Sequence, residues 1–226
     1  MRKLLLFSLF FISTANAGVV IYGTRIIYPA EKNEVLVQLM NQGGRSSLVQ
    51  SWIDDGDTSL PPEKIKVPFL LTPPVAKVAG DSGQQIKIKK MPNMLPNNKE
   101  SLFYLNVLDI PPNNPNSTGK NVLKFAMQNR IKLFYRPKGI APVNRITFHK
   151  LSFKRSGNSY SINNDTANWI TVTEVKAGNV KVNNTTIMVA PLSSENVVLK
   201  NTNTSQYKVT IIDDHGNYIS DNVSLK

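Results

Sequence analysis

Asn121–Pro137 reads NVLKFAMQNRIKLFYRP, and how this stretch is read decides the fold. It follows a Pro/Asn-rich loop and alternates Leu123, Phe125 and Met127 with Lys124, Ala126 and Gln128. It then ends in a basic, aromatic run closed by Pro137. Alternation with a period of two marks a strand that offers one apolar face. Such a strand either packs within its own domain or completes the core of another protein. The same segment also fits an amphipathic helix through Leu123, Ala126, Met127, Ile131 and Phe134. The rest of the chain has to choose between these readings.

Outward from that segment, short β-rich runs recur between turns built from Pro, Gly, Asn and Asp. Strands are predicted near Val19–Ile27, Glu34–Asn41, Leu48–Ile53, Phe69–Thr72, Gln84–Lys89, Leu102–Leu108 and Val122–Tyr135. Pro137-Lys138-Gly139 and Pro142 mark a hinge. Beyond it, strands are predicted near Ile146–Lys154, Ile170–Lys176, Val180–Val182, Ile187–Ala190, Val197–Leu199, Tyr207–Ile212 and Tyr218–Leu225. No long helix is predicted, so an isolated amphipathic helix at 121–135 would lack a helical partner. The reading is all-β: two immunoglobulin-like sandwiches, residues 18–137 and 143–226, joined by a hinge at 138–142.

Residues 1–17 are read as outside the fold. Arg2 and Lys3 precede an apolar run from Leu4 to Ile12, and Ala15-Asn16-Ala17 forms a small-x-small cleavage site before Gly18. This is a secretory signal peptide, and the run is too short to span a bilayer. The chain of 226 residues contains no cysteine, which in an exported protein leaves core burial alone to hold the fold. Thiol catalysis, disulfide frameworks and cysteine metal sites are excluded. The formal charge of +12 permits nucleic acid, anionic lipid or an acidic protein as partner, and export argues against nucleic acid. The densest basic run, Lys87-Ile88-Lys89-Lys90, reads as a strand with one solvated face.

Chemistry is hard to find. His149 and His215 fall in different domains without spaced ligands, so no metal site is predicted. Asp213-Asp214-His215-Gly216 reads as a hairpin turn. Asn114–Asn121 (NPNSTGKN) has Asn where a phosphate loop needs its first glycine and again where it needs Ser/Thr. Ser117-x-x-Lys120 and Ser205-x-x-Lys208 match an S-x-x-K pattern but lack the accompanying K-T-G. Asn-x-Ser/Thr sequons at Asn116, Asn164, Asn183, Asn184, Asn203 and Asn222 follow from an Asn/Thr-rich composition. No enzyme and no cofactor are predicted.

Three motifs then converge: Gly23–Pro29 (GTRIIYP), Glu100–Pro112 (ESLFYLNVLDIPP) and Ile131–Pro137 (IKLFYRP). With Met188–Pro191 (MVAP) and Ile212–Gly216 (IDDHG), they resemble the PapD-like periplasmic pilus chaperones over essentially the whole mature chain. The resemblance implies a boomerang-shaped pair of immunoglobulin-like domains in the periplasm of a Gram-negative bacterium. It implies binding of pilus (fimbrial) subunits by donor-strand complementation and their delivery to an outer-membrane usher, with no membrane insertion.

By motif, the resemblance makes Leu123, Phe125 and Met127 the donor-strand residues. Arg25 and Lys132 become the cation pair that anchors a subunit's C-terminal carboxylate, and Glu100, Arg136 and Asp214 an interdomain ion network. The short Pro111–Lys120 loop and the lack of cysteine resemble the short-loop branch. An empty protein of this kind is expected to protect its exposed strand, by self-association or by mobility of Pro111–Lys120. Strict alternation places Lys132 on the opposite face from Leu123, Phe125 and Met127 unless a bulge intervenes. The alternative is an exported two-domain adhesion or carbohydrate-binding protein, with those three side chains buried in its own core.

Overall fold

A computed structural model describes residues 18–113, 123–157, 159–200 and 204–226. The first sandwich packs two sheets face to face. One holds β1 (Val19–Ile21), β3 (Glu34–Asn41), β7 (Ser82–Lys90) and β5 (Phe69–Thr72), in that order. The other runs β2 (Arg25–Pro29), β9 (Met127–Arg136), β8 (Ser101–Ile110), β4 (Ser47–Asp54) and β6 (Val75–Val78). Alternate residues point inward from each sheet, as the pleat requires. Val37, Leu39, Ile86 and Ile88 from the first sheet meet Ile26, Tyr28, Leu105, Val107 and Leu133 from the second in one buried core.

The second sandwich repeats the scheme. One sheet orders β10 (Leu151–Ser156), β11 (Ser159–Asn164) and β15 (Ser193–Val197). The other orders β13 (Val180–Lys181), β12 (Ile170–Ala177), β16 (Gln206–Ile212) and β17 (Tyr218–Ser224), with β14 (Ile187–Val189) also on β12. Its separate core includes Phe153, Tyr160, Ile162, Val172, Tyr207, Val209 and Ile211.

Besides the unpredicted strands β6 and β11, three departures from the sequence reading stand out. The predicted strand Val19–Ile27 is two strands, because Gly23 adopts φ +105°, a conformation that glycine reaches without strain. The chain thereby leaves β3 and joins β9 as its parallel neighbour. The predicted strand Ile146–Lys154 begins only at Leu151, since Arg145–Lys150 forms a 3-10 turn. Asn144 caps that turn: its side chain accepts from the Ile146 N–H, while Thr147 Oγ1 accepts from the Asn144 N–H at 3.0 Å.

The third departure concerns the segment that decided the fold. The strand predicted from Val122 begins at Met127, so Leu123 and Phe125 precede it and make no ladder bonds. Along β9, pairing to β8 runs without interruption from Asp109↔Met127 to Ser101↔Tyr135, so no bulge separates Met127 from Lys132. Met127 faces the inner side with Leu133, and Lys132 faces the outer side. Pairing to β2 begins only at Lys132, which leaves the Met127–Ile131 edge without a ladder partner among the described residues. Most of the Pro111–Lys120 loop lies outside the described residues, as do Asn116 and the Ser117/Lys120 pair.

Candidate functional site

The outer face of the β2-β9-β8-β4-β6 sheet carries one transverse row of chemistry. Asp54 of β4 is paired with Tyr104 of β8, Tyr104 with Lys132 of β9, and Lys132 with Arg25 of β2. Arg25 and Lys132 are thus direct cross-strand neighbours, and both are half-buried. Like charges opposite one another repel, so this arrangement is unfavourable unless an anion joins it.

Among the described residues neither cation forms an ion pair. Arg25 Nη1 donates to the Ile212 carbonyl at 3.2 Å, its Nε has no partner, and its guanidinium lies 5.8 Å from the Phe134 ring centre. Burial pushes the Arg25 guanidinium down from its ordinary value, while Asp214, Asp213 and Glu100 act in the opposite direction. Burial also pushes the Lys132 ammonium down, and repulsion from Arg25 and Arg130 adds to it. Among the described residues Lys132 forms no ion pair.

The three donor-strand candidates stand in solvent. Leu123 is 78% exposed, Phe125 67% and Met127 65%. They adjoin the unpaired edge of β9, where a further strand could add its main-chain bonds. The intervening Lys124, Ala126 and Gln128 are exposed as well, so neither face of this segment is covered.

Glu100, Arg136 and Asp214 meet between the two sandwiches. Arg136 Nε donates to Glu100 Oε1 at 2.6 Å, while its Nη2 donates to Asp214 Oδ1 at 2.7 Å. Glu100 Oε2 also accepts the Trp169 N–H at 2.8 Å, and its main-chain N–H donates to the Ala167 carbonyl. Burial raises the Glu100 carboxyl above the usual range against the pull of Arg136. Asp214 is held in place by its turn: Asp213 Oδ1 accepts the N–H groups of His215 and Asn217. Gly216, at φ +88°, lets that turn approach Thr24, since a Cβ there would stand 2.5 Å from Thr24 Oγ1. His149 and His215 are exposed, and no cluster among the described residues could hold a metal ion.

The sequence reading missed a second polar cluster on the same face. Arg130 grips Asp54 with two prongs, Nη2 to Oδ1 at 2.5 Å and Nε to Oδ2 at 3.2 Å. Its guanidinium stacks 3.7 Å from the Tyr104 ring centre. Asn106 donates to Asp54 at 2.5 Å, Gln128 donates to Asn106 at 2.9 Å, and the Gly56 N–H reaches Asp54 at 2.7 Å. Alternation back from Lys132 places Arg130 on its face, so that signal was present. Asp54 was hidden because Asp54-Asp55-Gly56-Asp57 reads as a turn.

Burial alone would raise the Asp54 carboxyl, but hydrogen bonds from Arg130, Asn106 and Gly56 outweigh it and hold it below 3.8. A carboxylate depressed in the folded state adds stability above its unfolded value, and that stability is lost as pH falls through the folded one. Asp54→Asn should therefore flatten the acid-side fall in melting temperature below about pH 4. Melts of both proteins from neutral pH down to about pH 2 check this, and parallel curves would remove Asp54 from the acid response.

Known proteins share this two-sandwich fold. The family described as "Pili and flagellar-assembly chaperone, PapD N-terminal domain" matches residues 18–141, and "Pili assembly chaperone PapD, C-terminal domain" matches residues 147–223. The chain is 70% identical over 221 residues to a probable fimbrial chaperone, YehC, of Escherichia coli K12, covering 98% of this chain and 92% of that one. It is 38% identical to the chaperone protein FimB/FhaD of Bordetella pertussis, over 89% of this chain and 86% of that one. Among solved structures, the Pseudomonas aeruginosa CupB2 chaperone superposes with a TM-score of 0.79 at 30% identity, covering 92% of this chain and all of that one.

Proposed function

Because the chain belongs to the PapD family of pilus-assembly chaperones, we propose that it holds pilus subunits in the periplasm by donor-strand complementation and passes them to an outer-membrane usher. Residues 1–17 direct export and are cleaved off before Gly18. Residues 18–137 form the subunit-binding domain, 138–142 the hinge and 143–226 the second domain. A subunit that lacks its last strand exposes its core and aggregates. This protein lends it the segment from Leu123 onward: main-chain bonds satisfy the open edge while Leu123, Phe125 and Met127 fill the groove.

The observation that carries this reading is the exposure of those three large apolar side chains beside an unpaired strand edge. An adhesin that buried them in its own core would not present them to solvent. Covering three such side chains contributes on the order of 5–9 kcal/mol before ordering costs. The Arg25–Lys132 pair receives the subunit's C-terminal carboxylate, which accepts several charge-assisted bonds and sets the register of the added strand. That anchor is worth roughly 2–5 kcal/mol when desolvated. Glu100, Arg136 and Asp214 hold the angle at which the cleft opens.

The test is purification from periplasm together with co-expressed neighbouring gene products. Stoichiometric capture of small subunits, insoluble when expressed alone, is the expected result; a pure protein carrying no such companion would refute the reading. Lys132→Met sharpens it. A cation held below its ordinary value opposes folding at neutral pH, and the opposition vanishes only above its unfolded value. The variant should melt no lower than the wild type and still fail to retain subunits. Full capture with a lowered melting temperature would make Lys132 structural.

A further inference from the structure

The subunit anchor needs Lys132 to be free, and the sheet supplies a reason why it should not be. Asp54 lies in the same transverse row as Lys132, with only Tyr104 between them. Adjacent strands are about 4.8 Å apart, so the two backbones stand roughly 10 Å from each other, within the combined reach of an aspartate and a lysine. The Asp54 side chain is 3% exposed, and a buried carboxylate takes whichever cation is available. Yet Lys132 has no carboxylate partner among the described residues, and Asp54 is claimed instead by Arg130, whose guanidinium crosses over the Tyr104 ring to reach it.

We propose that Arg130 is a positioning residue: by clamping Asp54 across Tyr104 it keeps the Lys132 ammonium unpaired and facing an incoming carboxylate. This rests on the chaperone reading above and adds to it a residue outside the anchor itself. Arginine suits the task because its planar fork can hold both carboxylate oxygens while stacking on an aromatic ring, which lysine cannot do. Asn106 and the Gly56 N–H complete the clamp, so with Arg130 each Asp54 oxygen accepts two bonds. The groups facing Lys132 are then Arg25 on β2, Arg130 on its own strand and Tyr104 on β8. Asp213 and Asp214 across the cleft act on Arg25.

The proposal is tested on the free protein by following the Lys132 side chain by NMR through a pH titration. In the wild type it should titrate below the ordinary lysine value. Arg130→Gln removes the clamp, so Asp54 should capture the ammonium and move the titration upward. Losing the Arg130 charge would by itself also raise it. The decisive variant is therefore Arg130→Gln with Asp54→Asn, which should bring the titration back down. A double variant titrating with the single one would overturn the proposal, as would no movement in Arg130→Gln. If Arg130→Gln does not fold, Arg130→Lys, which keeps the charge without the fork, takes its place in the same comparison.

Capture gives a second readout. The single variant should retain about tenfold less subunit than the wild type, and the double variant should recover. A wild type that captures nothing refutes the chaperone reading alone, whereas normal capture without NMR reversal refutes only the clamp.

Discussion

Phe125→Asp is expected to leave the free protein folded and melting as before, while abolishing its retention of subunits. The first half follows from exposure: Phe125 is 67% exposed and precedes the first residue of β9, so its ring supports neither core nor ladder. Substitutions at such positions change stability by about 0.5 kcal/mol or less. The second half follows from what the groove of a subunit must be. A phenylalanine withdrawn from water there contributes about 1.5–3 kcal/mol. An aspartate in its place loses that and adds the penalty of an unpaired carboxylate in an apolar slot, several kcal/mol more. At 1.4 kcal/mol per tenfold, the complex weakens by three orders of magnitude or more. Melting temperature and yield of co-purified subunit, measured on one preparation, decide the matter. A collapse in melting temperature would show Phe125 to be core and would end the donor-segment assignment.

Arg136→Ala should have the opposite signature, a large loss of stability in the free protein. The Arg136 side chain is 10% exposed and holds Glu100, 1% exposed, and Asp214, 14% exposed. Removing it leaves two carboxylates at the junction of the sandwiches without their cation. Breaking a buried pair from one side costs about 3–5 kcal/mol, most of it the uncompensated charge that remains. Arg136→Lys should fall between, because an ammonium cannot bond Glu100 and Asp214 with separate edges of one plane. Denaturant midpoints give the energies, and small-angle scattering should show a broader distribution of distances between the domains. A loss under about 1 kcal/mol with unchanged scattering would reduce the cluster to a solvated contact.

The two predictions differ because the side chains do. Phe125 stands exposed and is read as meeting a partner; Arg136 is consumed internally and sets geometry. Lys132 falls between them, a half-buried cation without an ion pair among the described residues and proposed to be kept so by Arg130.

Much of this was legible in the sequence. Period-two alternation identified most of the strands, and it identified which residues of β7 face solvent: Lys87 and Lys89 lie outside while Ile86 and Ile88 are core. The motifs around Arg25, Glu100 and Lys132 carried the family. Alternation also placed Lys132 on the face opposite Met127, and the unbroken register of β9 agrees. Local failures had local causes: Gly23 divided one strand, and the Asn144 cap turned the start of another into a 3-10 turn.

Adjacency across the sheet was not legible along the chain. A side chain's face is set by its own strand, because successive residues point to opposite sides whatever lies alongside. Its neighbours are set by which strands pair and in what register, and that depends on the packing of the whole sandwich. Pattern along the chain was therefore enough to put Arg25, Lys132, Arg130 and Asp54 on strands or turns of an all-β protein. Only the parallel pairing of β2 with β9, and the place of β4 two strands away, put the two cations side by side and gave the nearby carboxylate to Arg130 instead.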